Sequence, residues 1–344
     1  MQLTKKNSLT WSLLISVFLS CYQTQGICLD EQLLSVAKQR FQKQDFLGSE
    51  KCLRLIMNSK TFHRESIQDQ AFIVNKLALC LDQQDKLKEG IVLHERALAL
   101  LRQNRISSES EFLMVENNLA NAYAKAKLFD KCIPLMLSNL ERRKRVYGQD
   151  SIQLAVSYNN LGSAFQDFGK YQAAETNYLA ALRIIQNTTG NKNDRFYSTL
   201  QNLADLYRQL GRYDDQLIIA KKMVKNAEES HTKNSVLYAD SLDSLGSALK
   251  CNGKLAESIA AFKEAVSLKT RLLGESSNSV ADSLNNLACS YLENGDIQLA
   301  IQPLEKSVRI FSELNGSTSK RALNAKKNLE QAIAAGKRKG KVIK

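Results

Sequence analysis

Apolar positions recur along this chain with a period of 42 residues: one leucine keeps its phase as Leu77, Leu119, Leu161, Leu203, Leu245, Leu287 and Leu329. A fixed period of this size marks stacked supersecondary units, each too small to bury its own apolar face. Within one unit, Ala239 to Val280, apolar residues fall at three- and four-residue steps twice over, as Leu242, Leu245 and Leu249 and then as Ile259, Phe262, Ala265 and Val266. That spacing predicts two helices per unit. Asn252-Gly253 between them predicts the turn. Gly148, Gly190, Gly274 and Gly316 share a phase just past second-helix patterns and predict left-handed caps, a series that Ile106 and Thr232 break.

Small residues hold one position of the first helix (Ala78, Ala120, Gly162, Ala204, Gly246, Ala288) and large ones the position three residues on (Leu81, Tyr123, Phe165, Tyr207, Leu249, Tyr291). Small against large predicts close helix packing. This order of leucine, small residue, aromatic, glycine turn and alanine-bearing second helix resembles the tetratricopeptide repeat, whose ordinary unit has about 34 residues. The 42-residue form, with Asn117 to Ala120, Asn159 to Leu161 and Asn285 to Ala288 in first helices and Arg271 to Gly274 closing a second, resembles the repeats of kinesin light chains. The histidine-proline pair those repeats carry after the glycine is absent, Asp150-Ser151 and Ser276-Ser277 standing there. The resemblance, over residues 30–336, implies an all-α fold: a right-handed superhelical solenoid of antiparallel helix pairs.

In chain order, residues 1–26 read as a signal peptide: Lys5 and Lys6, then an uncharged apolar run from Leu9 to Cys21, then Thr24 and Gly26 before a cut. Export follows as an expectation, secreted or periplasmic. An uncleaved membrane anchor and a lipoprotein acylated at Cys21 are the other readings of this segment. Residues 27–70 form a degenerate first repeat, with Val36 to Leu77 one residue short of the period. Six repeats fill 71–322, a capping helix 323–336, and a basic disordered tail 337–344. No linker divides the chain, so one solenoid domain is expected.

Charge separates along this plan. The chain carries +13, and loss of Lys5 and Lys6 leaves +11; Lys320 to Lys344 holds nine basic residues and Glu330, a net +8, which leaves +3 for residues 27–319. The tail is thus a candidate contact for an anionic surface such as membrane, envelope polymer or nucleic acid.

Candidate chemistry adds little. His63, His94 and His231 have neither metal nor triad spacing, no CxxC occurs, and no nucleotide or hydrolase motif is present. Neither metal, cofactor, small-molecule substrate nor enzymatic activity is expected. Cys80 and Cys132 read as buried fillers; Cys28 with Cys52, and Cys251 with Cys289, are the pairs that can bridge. Asn187-Thr188-Thr189 and Asn315-Gly316-Ser317 are glycosylation sequons in a eukaryotic secretory setting.

One polar series keeps register on the first helices. It comprises Asn117, Asn118 and Asn121; Asn159, Asn160 and Ser163; Asn202, Asp205 and Arg208; and Asn285 and Asn286, with Gln201, Asp243 and Ser244 at the same positions of their repeats. Asparagine offers donor and acceptor together, so such a row can hold the backbone of an extended peptide or can tie neighbouring helices. The kinesin light chain resemblance implies peptide contact for Asn118, Asn160, Asn202 and Asn286. The expected function is a non-enzymatic scaffold holding a peptide segment or partner protein in its concave groove; an anionic-surface binder acting through the tail is the alternative.

Overall fold

The structure, a computed structural model, describes residues 29–103, 108–190, 194–230 and 233–342, with no account of the side chains of 29, 30 and 338–342. The expected signal peptide, Cys28 and His231 lie outside the described residues. Two compact units divide at Val146 and Tyr147, where the single domain expected above has a break. The division falls at the last residue of a helix, just before an inter-repeat loop that begins with Gly148, whose φ is +82°.

The first unit is built from α1 (Leu29–Gln42), α2 (Phe46–Met57), a 3-10 turn (Phe62–Arg64), α3 (Ile67–Gln83), α4 (Leu87–Gln103), α5 (Glu109–Lys125) and α6 (Phe129–Tyr147). The second holds α7 (Ile152–Asp167), α8 (Tyr171–Thr189), α9 (Asp194–Gln209), α10 (Tyr213–Ser230), α11 (Val236–Cys251), α12 (Leu255–Leu273), α13 (Asn278–Asn294), α14 (Ile297–Asn315) and α15 (Lys320–Val342). Each is an all-α solenoid of antiparallel helix pairs, in which a helix packs on its hairpin partner and on the pair that follows.

The hairpin turns show how the sequence makes this hand of turn seven times. A left-handed residue sits at each: Gln44, Asp85 and Lys127 in the first unit, Gly169, Gly211, Gly253 and Gly295 in the second. Glycine adopts that conformation freely, whereas a side chain there costs about 1 kcal/mol. The first unit therefore carries strain at turns where the second carries none.

Close packing follows the small-against-large pattern. A Cβ on Gly162 would stand 2.7 Å from the Tyr178 ring, and one on Gly246 2.9 Å from Phe262. The in-phase leucines Leu77, Leu119, Leu161, Leu203 and Leu287 are at most 5 % exposed.

Carboxylates tie one repeat to the next. Glu50 on α2 meets Arg54 at 2.8 Å, Lys86 at 3.0 Å and Gln84 at 2.7 Å, and Arg54 reaches Glu89 on α4. Glu175 on α8 repeats the device, accepting from both Arg212 and Tyr207. Burial opposes the Glu50 charge, but Arg54, Lys86 and Gln84 outweigh it and hold the carboxyl at about 2, below its ordinary 4.5. A depressed folded pKa gives stability that is present above the unfolded value and lost as pH falls through the folded one. Acid titration of Glu50→Gln beside the parent should therefore show the parent's advantage at neutral pH vanishing between pH 4.5 and about 2; an advantage constant over that window would mean that the clasp carries no linkage.

Several local expectations need correction. First helices begin three or four residues ahead of the repeat starts at Ala71, Leu113, Ala239 and Ala281, because Ser66, Ser108, Ser235 and Ser277 cap the amides of Asp69, Glu111, Tyr238 and Val280. The capping helix extends beyond 323–336 at both ends. It starts at Lys320, with Ser319 bonding the Ala322 amide, and runs to Val342, through most of the stretch expected as disordered tail. Lysine and arginine are good helix formers and suit the negative end of the helix dipole. Pro134 and Pro303, which the repeat register puts early in second helices where a missing N–H is tolerated, lie inside α6 and α14, past the first turn. Cys80 and Cys132 are fully buried as expected; Cys52, Cys251 and Cys289 are free thiols.

Candidate functional site: the first-helix face

Successive first helices touch directly within each unit: α3 with α5, then α7 with α9, α9 with α11, α11 with α13 and α13 with α15. Their shared face carries the polar series, which proves to be a ladder. Asn118 donates to Asn75 at 3.3 Å, Asn202 to Asn159 at 3.0 Å, Ser244 to Gln201 at 2.5 Å and Asn328 to Asn285 at 2.9 Å. Each rung spans 43 residues, one period plus one. An acceptor one position earlier on the preceding helix receives the donor of the next.

The helix-tying role is therefore real for Asn118, Asn159, Asn202 and Asn285. Asn75, Gln201, Ser244 and Asn328 complete the rungs: Gln201 and Ser244 stand in the register of the series, and Asn75 and Asn328, outside it by residue pattern, are marked by their 43-residue spacing from Asn118 and Asn285. Asn160 and Asn286 make no side-chain hydrogen bond among the described residues, Asn286 being exposed and Asn160 half-buried. Asn117 and Asn121 are half-buried on α5. Ser163 is exposed beside the Tyr178 hydroxyl, which donates to Gln166 at 2.9 Å. Arg208 lies 3.7 Å from Asp205, which also faces Gln201. Beyond these, Gln166 meets Gln209 at 3.0 Å and Lys250 meets Glu293 at 2.9 Å. The series thus comes together as two faces: Asn117, Asn118 and Asn121 in the first unit, the remaining eight in the second.

Between α11 and α13 the ladder is replaced by charge. Asp243 occupies the accepting position, and Lys269 from α12 meets it at 2.5 Å and Asp240 at 2.6 Å, while Ser283 donates to Asp243. Lys269 is 3 % exposed. Burial opposes its charge, but Asp243 and Asp240 hold it above its ordinary value. Burial pushes the Asp243 carboxyl up, with Lys269 pulling the other way.

In the first unit a second buried polar group backs the face. His94 on α4 lies fully buried with Nδ1 2.9 Å from Asn75 Oδ1 and Nε2 3.0 Å from Asp82 Oδ2. The imidazole belongs to a polar network that extends through Asn75 to Asn118. Among the described residues no group of three metal-ligating side chains occurs, and no helix is long and apolar enough to cross a membrane.

The tetratricopeptide repeat family profile matches residues 111–187 and 237–313. No curated protein matches the chain in sequence. Among solved structures, BtubC (BKLC) of P. vanneervenii is 18 % identical, with 71 % of this chain and 92 % of that one covered at a TM-score of 0.54. A putative kinesin light chain of Podosopora anserina is 19 % identical over 59 % of this chain and 96 % of its own, with a TM-score of 0.51. A Rap protein solved in complex with competence and sporulation factor is 16 % identical over 90 % of this chain and 78 % of its own, with a TM-score of 0.54. At these identities the likeness speaks for the fold. The helix pairs, their 42-residue period and the two matched stretches together show the fold of a tetratricopeptide-repeat solenoid.

Proposed function

We propose that this protein is a non-enzymatic interaction scaffold whose first-helix face holds an extended peptide segment or a partner protein. The observation that carries this reading is the spare capacity of the ladder. A rung uses one N–H of one amide and one oxygen of the other. Asn202 keeps its second N–H and its oxygen, Asn159 keeps both N–H groups, and Asn160 and Asn286 are uncommitted. A peptide backbone alternates donors and acceptors and needs that mixture. Arg208, Asp205, Lys250 and Glu293 flank it with both signs of charge, which favours a polar ligand of no strong net charge. The Rap protein noted above, of similar fold, was solved with a bound factor.

Export through residues 1–26 belongs to the same proposal. The test is capture of a partner from the exported fraction by the full chain, beside Asn160→Ala/Asn286→Ala, which spares the rungs. Partner capture should fall about tenfold or more, since each lost hydrogen bond is worth about 1 kcal/mol, with the unfolding midpoint unchanged. Equal capture by the variant would remove the groove from the function.

A second reading is favoured by one feature, the continuation of α15 to Val342 within a stretch of net +8. An anionic-surface contact through this helix predicts that binding disappears on deleting residues 336–344 and falls steeply with salt. The groove reading predicts neither.

A further inference from the structure

The first rung of the ladder is missing, and a cavity stands in its place. The register slips by one between Val36 and Leu77, so the residue of α1 at the accepting position is Leu34 and the donor on α3 is Lys76. A leucine accepts no hydrogen bond. Where later rungs close the face, α1, α2 and α3 leave a cavity of about 210 Å³, walled by Leu34, Phe41, Leu53 and Phe72 and edged by Lys38 and Lys76.

Both lysines contact only aromatic rings, with no counter-ion beside them among the described residues. Among the described residues neither enters an ion pair, and the carboxylate of the nearby α1–α2 turn, Asp45, is taken up by Arg40 at 3.1 Å and the Gly48 amide at 2.9 Å. The two ammonium groups lie 5.1 and 5.6 Å from the centre of the Phe72 ring, and Lys76 lies 5.4 Å from that of Phe41. Two cations over one ring repel each other, and an anion placed between them relieves that repulsion.

The wall sets the other half of the ligand. An apolar protein cavity of about 150 Å³ holds benzene, so this one takes a single ring or a short branched chain and little more. We propose that this end of the first unit binds a small organic acid, a monocarboxylate whose body is one aromatic ring or a short aliphatic chain. The ring fills the space between Phe41, Leu53 and Phe72, and the carboxylate supplies the acceptor that Leu34 does not. The inference goes beyond the groove reading and stands without it; it also departs from the sequence-based expectation of no small-molecule ligand.

The test is calorimetric titration of the full chain with 3-phenylpropionate and with 3-phenylpropionamide, which has the same shape and no charge. The acid should bind with a Kd of order 1 mM or tighter, a fair affinity for so few atoms, and about tenfold tighter than the amide. Lys38→Gln and Lys76→Gln should each weaken the acid about fivefold or more and leave the amide unchanged. Leu34→Asn, which offers Lys76 an internal acceptor, should weaken the acid similarly without unfolding the unit. Equal binding of acid and amide, or no binding of the acid at about 10 mM, would overturn the proposal. So would binding of a short peptide ending in phenylalanine with none of the free acid, which would assign the cavity to a chain terminus.

Discussion

Lys269→Ala is expected to destabilise the second unit by about 3–5 kcal/mol, the cost of leaving a buried carboxylate without its partner. Lys269 is 3 % exposed and lies between Asp243 and Asp240, and one oxygen of Asp243 already lacks a hydrogen bond. Denaturant unfolding measures the loss, and Lys269→Met with Asp243→Asn should recover most of it, because an uncharged pair leaves no buried charge behind. The pH dependence has a definite sign. Lys269 is held above its ordinary value, so its contribution is full below the unfolded lysine value of about 10.4 and is lost as pH rises through the higher folded one. Asp243 is pushed up by burial, so the variant's deficit should shrink as pH falls towards the unfolded aspartate value of about 3.9. A pH-independent loss below about 1 kcal/mol would mean that water already reaches the carboxylate.

Phe262→Ala should cost a similar amount, about 3–5 kcal/mol. Its ring is fully buried in a cluster with Leu287, Ala288, Tyr291, Ala300 and Leu304, which joins α12 to the two helices that follow. Because Gly246 leaves only the space the ring occupies, truncation opens a void between repeats that no neighbour fills. Gly246→Ala approaches the same contact from the other side and should cost about 1–3 kcal/mol by overpacking. On a Phe262→Leu background that penalty should fall, a coupling that unfolding of the four variants reads directly. Additive losses would mean that the two positions do not share the space.

Helix pairs, core phase and turn positions were legible because burial is periodic: Leu161 and its equivalents repeat what the helix spacing demands. Helix starts were less so. Ser66, Ser108, Ser235 and Ser277 cap helices from outside the apolar pattern, and a reading anchored on apolar phase places the boundary three or four residues late. The polar face was half legible. Residue type marked Asn118, Asn159, Asn202 and Asn285, but the rungs join adjacent repeats at 43 residues, off the period by one, so no comparison of like positions reveals them. Lys269 gave no signal at all: an isolated lysine on a second helix reads as solvated until Asp240 and Asp243 are seen to enclose it. His94 likewise gave no sign of its partners Asn75 and Asp82, which lie on the neighbouring helix.

The ladder also has a direction. In every rung the donor belongs to the repeat nearer the C-terminus and the acceptor to the one before it. What remains unused is ordered too: in the rung from Asn202 to Asn159 the earlier amide keeps both N–H groups, and the later keeps one N–H and an oxygen that accepts nothing. Within the second unit the face is accordingly a polar track, with its dipoles aligned from α7 to α9. An extended chain has dipoles of its own and meets that track differently when turned end for end, so a ligand and its reversed sequence should be told apart even where their side chains are the same.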